Sequence, residues 1–167
     1  MAIVRKDKLL AGYNGNLESV KVHNESGAKI PTTNGVFVVV EGLLEGEREV
    51  KKATLGSVAS SEQDVLLVHN GEVMADERLY KLEDYFIPTD KVARAYRLFD
   101  GDVITLTADL FVGTPTVGQK LVVHTEGKLG EDSASLANAK VVFEVIEDCG
   151  NELHHTMKAY AVQVTRN

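Results

Sequence analysis

Tryptophan is absent from this chain of 167 residues, and aromatic residues make up only 6% of it. So little stacking surface argues against a platform for nucleobases or sugars, which needs several aromatic faces in series. The single cysteine, Cys149, excludes an internal disulfide and leaves stability to burial, strand pairing and assembly. Glu147 and Asp148 stand just before it and oppose formation of a thiolate, so its expected role is that of a small hydrophobe. Proline occurs only at positions 31, 88 and 115, and no apolar run approaches the roughly 18 residues of a membrane span. The opening MAIVRKDKLLAGYNGN lacks a continuous apolar stretch and a small-residue cleavage pattern. No secretory leader is therefore read there, and folding in a cytoplasm is expected.

Positive charge is also in short supply. Eighteen Lys and Arg face 25 Asp and Glu, a net charge of −7. The densest basic spots, Arg5–Lys8 and Arg48–Lys52, are interrupted by acids. Wrapping a phosphate backbone is disfavoured, so no nucleic-acid partner is expected. The motifs of catalysis and metal binding are missing too: no GxxxxGK[ST], GxGxxG, HExxH, HxH or CxxC is present. His154 and His155 are adjacent and diverge on a strand. A calcium loop counted from Asp100 would put Thr105 where glycine is needed and Phe111 where a bidentate Glu is needed. No catalytic residue, metal ligand or cofactor is assigned.

What the chain does have is β signal. Residues 17–22 (LESVKV) alternate apolar and polar, as a half-buried strand does. Residues 36–40 (VFVVV) form a continuous β-branched run suited to a strand covered on both faces. Further strands are expected at 49–55, 64–69, 103–107, 119–124, 140–146 and 158–165, the last two as a long hairpin. Asp100-Gly101-Asp102 marks a turn, and single glycines, including 27, 35, 46 and 56, punctuate the strands. Polar, small segments at 24–34, 57–63 and 127–138 read as loops. One short helix is expected at about 75–86, where Leu79, Leu82 and Phe86 recur at helix spacing after a capping Asp76 and Pro88 stops the segment. The expected fold class is mainly β, a sandwich or barrel with that one helix. It is read as a single domain, with lobes at 1–57 and 64–167 as the alternative division. In VARAYRL, arginines alternate with apolar residues; the reading as a solvated charged face stands beside that of a partner-facing anchor at Arg94, Tyr96 and Arg97.

Three blocks carry a resemblance: DKLLAGYNGNLESVKV at 7–22, GEVMADERLYKLEDYFIPTDKVARAYRLFDGDVITLT at 71–107, and VVFEVIEDCGNELHHTMKAYAVQVTRN at 141–167. In texture and order they resemble structural proteins of tailed bacteriophages whose hosts are mostly Gram-positive bacteria. The stretch Asp84-Tyr85-Phe86-Ile87-Pro88 departs from that pattern, which has a more polar linker there. The resemblance implies a non-enzymatic head decoration or cement protein on the capsid surface, with the major capsid protein as partner. A homo-oligomer, with a trimer favoured, is expected with it; connector or tail-associated roles are the near alternatives. Strand addition at a sheet edge and multivalent self-association would supply affinity. Contacts are expected from the N-terminal arm, 1–13, with Leu9, Leu10 and Tyr13, and from Arg94, Tyr96 and Arg97. The rival classes are a small all-β enzyme acting on a nucleotide and a free-standing module binding carbohydrate or protein.

Overall fold

The computed structural model describes residues 3–8, 16–71 and 84–167. Among them the chain is mainly β and forms two sheets. Strands β2 (Leu17–His23), β3 (Phe37–Leu43), β4 (Val50–Leu55), β5 (Val65–Val68) and β6 (Ala93–Tyr96) close into a barrel in the order β2-β4-β3-β5-β6. Its one parallel contact is β2 with β4. A six-stranded sheet has the order β1-β7-β11-β10-β8-β9. It is built from β1 (Val4–Lys8), β7 (Val103–Thr107), β8 (Lys120–Val123), β9 (Leu129–Gly130), β10 (Val142–Gly150) and β11 (Ala159–Arg166).

The apolar patterns decide where each strand sits. In β3, Phe37 and Val38 point to opposite faces and both are fully buried. One face is the barrel interior; on the other, the Phe37 ring packs on Phe143 of β10 with centroids 5.0 Å apart. The four residues of β5 are buried for the same reason. One continuous core therefore runs from Val20, Leu66 and Ala95 of the barrel to Leu106, Leu121 and Val162 of the sheet. The expected hairpin is β10 with β11, antiparallel from Val142↔Arg166 to Gly150↔Ala159, with three register shifts along it.

The two layers approach closely at three glycines. A Cβ on Gly35 would run into Leu110 and Val4, one on Gly56 into Val123, and one on Gly127 into the carbonyl of Phe37. The amide of Gly127 donates to the Gly56 carbonyl at 2.8 Å, and that of Gly56 to the Phe37 carbonyl at 2.8 Å.

Other expectations meet the structure in different ways. Most of the helix expected at 75–86 lies outside the described residues. Tyr85 and Phe86 have no regular structure, and Ile87 bridges Thr32 through two backbone hydrogen bonds, of 2.7 and 3.0 Å. Ile87 is buried at this bridge and Tyr85 packs against the core, whereas Phe86 is 54% exposed, so only part of the apolar departure at 84–88 serves the core. The one described α-helix, α1 (Ser133–Leu136), falls in the segment read as a loop and is capped by Asp132, which accepts from the amides of Ala134 and Ser135. Residues 3–8, counted in the expected contact arm, belong to the body: β1 pairs with β7, and Ile3 and Val4 are buried.

Replacing Gly127 by alanine is expected to cost more than replacing Gly27. Both have positive φ, 67° and 82°, but nothing lies within 4 Å of a Cβ on Gly27. Left-handed backbone alone predicts a loss of about 1 kcal/mol at Gly27; the added collision at Gly127 predicts at least about 2 kcal/mol. Denaturant midpoints of the two variants check this, and equal losses would show that the seam tolerates a methyl group.

Candidate functional site

The segment VARAYRL forms β6 and its exit. Ala93 and Ala95 are buried, and Arg97 shares their parity, so it turns toward the end of the barrel instead of the outer wall. There its Nη1 meets Asp64 Oδ2 at 2.6 Å and its Nη2 meets Glu18 Oε1 at 3.1 Å. Lys51 Nζ lies 2.9 Å from Glu18 Oε2, and Lys140 Nζ lies 3.7 Å from Asp64 Oδ2. Glu18 stands near the start of β2 and Lys51 near that of β4, Asp64 precedes β5 and Lys140 precedes β10. Two carboxylates shared among three cations thus close one end of the barrel and link it to the second sheet. Burial pushes the Glu18 carboxyl up, but hydrogen bonds from Lys51 and Arg97, with their charges, more than offset this and hold it below the ordinary range.

Arg94 has the opposite parity and is exposed. Its backbone is held by a pair of asparagines. Asn70 Oδ1 accepts from the Arg94 amide at 2.8 Å, and Asn70 Nδ2 donates to the Val92 carbonyl at 3.0 Å. Fully buried Asn34 in turn accepts from the Asn70 amide and donates to its carbonyl. The Asn70 side chain thus extends the ladder of β5 along β6 after β5 has ended. The Arg94 side chain opens on a groove of about 720 Å³, lined also by Leu17, Ser19, Leu43, Arg48 and Lys51 and by the carboxylates of Glu18 and Glu49. Leu43 is 56% exposed. Among the described residues, the Arg48 and Arg94 side chains form no hydrogen bond or ion pair.

Of the residues singled out from sequence, Arg94, Tyr96 and Arg97 come together on one strand and its exit but do different things. Arg94 faces solvent and Arg97 ties the barrel end. Tyr96 is buried, edge-on to the His69 ring at 6.3 Å between centroids. Leu9, Leu10 and Tyr13 lie outside the described residues. Cys149 is buried beside Ala159 and Ala161; burial, then Glu147 and Glu152, raise its thiol pKa against an opposing Arg5. Among the described residues no group of three or more His, Cys, Asp or Glu side chains is placed to hold a metal ion, and no helix is long and apolar enough to cross a membrane. No protein-family model, curated protein or solved structure matches the chain.

Because the Glu18 carboxyl is more acidic folded than unfolded, its contribution is complete above the ordinary glutamate pKa of about 4.3. It is lost as pH falls through the lower folded value. Glu18→Gln is expected to lower stability at neutral pH by about 1 kcal/mol and to make the acid limb of the stability profile shallower. Urea midpoints measured across the acid range check both; an unchanged acid limb would remove Glu18 from that transition.

Proposed function

We propose that this protein is a non-enzymatic component of a tailed-phage particle, a head decoration protein that docks on the major capsid protein through the Arg94 groove. The observation that carries the reading is the groove itself: two guanidiniums without intramolecular partners among the described residues, beside exposed Leu43, on a chain whose net charge is −7. An arginine held on a rigid strand with an apolar neighbour is the usual kind of interface anchor. In the groove Arg48, Lys51 and Arg94 outnumber Glu18 and Glu49, so on an acidic molecule the docking face carries a small positive excess, which orients encounter. The blocks at 7–22, 71–107 and 141–167 supply the particle and the class of partner. Repetition of the site over a lattice, with self-association as a homo-oligomer, of which a trimer is the favoured form, would raise weak single contacts to stable occupancy.

The experiment is sedimentation of the purified chain with heads assembled from the major capsid protein encoded nearest its gene. The wild-type chain is expected to co-sediment. Arg48→Glu with Arg94→Glu is expected to lower occupancy at least tenfold, the size of two lost charge-assisted contacts of about 1 kcal/mol each. The unfolding midpoint should not move, because neither side chain is tied within the body. Arg97→Ala should do the reverse, lowering the midpoint through the loss of two ion pairs while the groove remains. Failure of the wild-type chain to co-sediment would reject the particle assignment; full occupancy by the double variant would reject the groove.

A further inference from the structure

A second concavity lies where the far end of the barrel meets the loop after β8. It is about 420 Å³ in volume, and its walls come from the end of β2, the end of β4 and the turn at Thr125–Glu126. His23 ends β2 and is only 5% exposed. Its Nδ1 lies 2.8 Å from the carbonyl oxygen of Lys21. A carbonyl only accepts, so Nδ1 carries the hydrogen and Nε2 of the neutral ring presents a lone pair. Nε2 has no hydrogen-bond partner among the described residues, where every fully buried side-chain nitrogen or oxygen has one. Nε2 therefore opens into the pocket that His23 lines: an acceptor on a side chain held in place by burial and by its other nitrogen.

The surroundings of that acceptor have one chemical character. Ile30 and Leu55 supply apolar wall, Glu25 and Glu126 supply carboxylates, and no lysine or arginine among the described residues lines the pocket. Glu126 is held there against its own conformational preference. Its φ of 58° makes it the sole non-glycine residue with positive φ among the described residues. The strain is imposed by the seam, because Gly127 follows in the same region, fixed to the Gly56 carbonyl and pressed on Phe37. Strained backbone of this kind persists where the surrounding structure over-determines it, and it clusters at binding sites. Glu126 pairs with Lys128 at 3.1 Å, but 72% of its side chain is exposed, so that pair is weak enough to exchange.

We propose that this pocket is a socket for a lysine or arginine side chain presented by a partner protein. The alkyl stem would lie on Ile30 and Leu55, as long basic side chains lie on apolar surface. The charged head would donate to His23 Nε2 and pair with Glu25 and Glu126. The socket takes a cation whereas the Arg94 groove takes acids, so the two make distinct demands on a partner. The inference does not rest on the capsid reading, since its test uses the isolated chain.

The probes are capped arginine, capped lysine, capped norleucine and free putrescine, followed by NMR of the His23 ring and the Leu55 methyl groups. The two capped basic residues are expected to give saturable shifts at both positions in the millimolar range. Norleucine, which has the stem without the charge, is expected to bind at least about tenfold more weakly. Glu25→Gln with Glu126→Gln, both substitutions at exposed positions, is expected to weaken the basic probes about tenfold with the amide spectrum otherwise unchanged. Absence of saturable shifts, equal binding of norleucine, or undiminished binding to the double variant would overturn the proposal. Binding of putrescine without either capped residue would also overturn it, in favour of a site for a free polyamine.

Discussion

The fold depends on how closely the barrel wall approaches the six-stranded sheet at Phe37. The small barrel leaves an apolar outer wall on β3 and β5, and the sheet leaves an apolar face at Leu121, Phe143 and Val162. Joining the two removes both from water at about 25 cal/mol per Å². The approach has to be tight, because a gap of even a methyl group forfeits dispersion contacts over the whole face. Bare backbone at Gly35, Gly56 and Gly127 makes it possible; the amide of Gly127 is satisfied across the contact and that of Gly56 within the barrel, so close packing leaves neither unpaired. The left-handed turn at Glu126 and Gly127 follows from the same demand. One packing requirement thus reaches the sequence as an unbroken apolar run in β3, three small residues far apart and one strained glutamate.

Part of this was legible beforehand. Alternation in 17–22, the run at 36–40 and the two flanks of the long hairpin all became strands because their periodicity reports burial directly, on one face or both. Position 65–68 became a doubly covered strand for the same reason. Other elements carried no such signal. In β1, VRKDK has only Val4 to bury and otherwise charge, the composition of a sheet edge. In β6 the inward residues are alanines, whose size gives little contrast with the arginines between them. The glycines at 35 and 56 read as turn punctuation, because steric proximity between distant segments leaves no local trace. Asn34 read as the end of a loop and Asn70 carried no assignment, yet together they fix the backbone of Arg94.

The interaction residues show the same limit more sharply. Arg94 and Arg97 belong to one motif and differ by three positions, which in a strand reverses the face. That reversal separates a side chain free to meet a partner from one fully engaged in holding the barrel end. From sequence the two are indistinguishable, since the carboxylates that engage Arg97 come from Glu18 and Asp64, far off in the chain. Arg94 alone is exposed on its parity, since Tyr96 and Leu98 beyond it are buried, and that one position changes without cost to the fold.

The topology also bears on how a partner would be held. Strand addition needs an unpaired edge of some length, and the described residues offer few. The barrel closes on itself. In the sheet, β9 is two residues long, and the edge strand β1 has the charge-rich sequence VRKDK, a composition that discourages edge-to-edge pairing. Beyond Val145, β10 has a flank without β8, but register shifts between Val145 and Glu147 and between Asp148 and Gly150 break the spacing an added strand would need. Backbone recognition is therefore poorly served by this architecture, and side-chain recognition is well served. A groove with two unpaired arginines and a pocket with a fixed acceptor and two carboxylates ask for particular charges at particular places. Specificity of that kind resides in matching charge instead of in shared hydrogen-bonded edges.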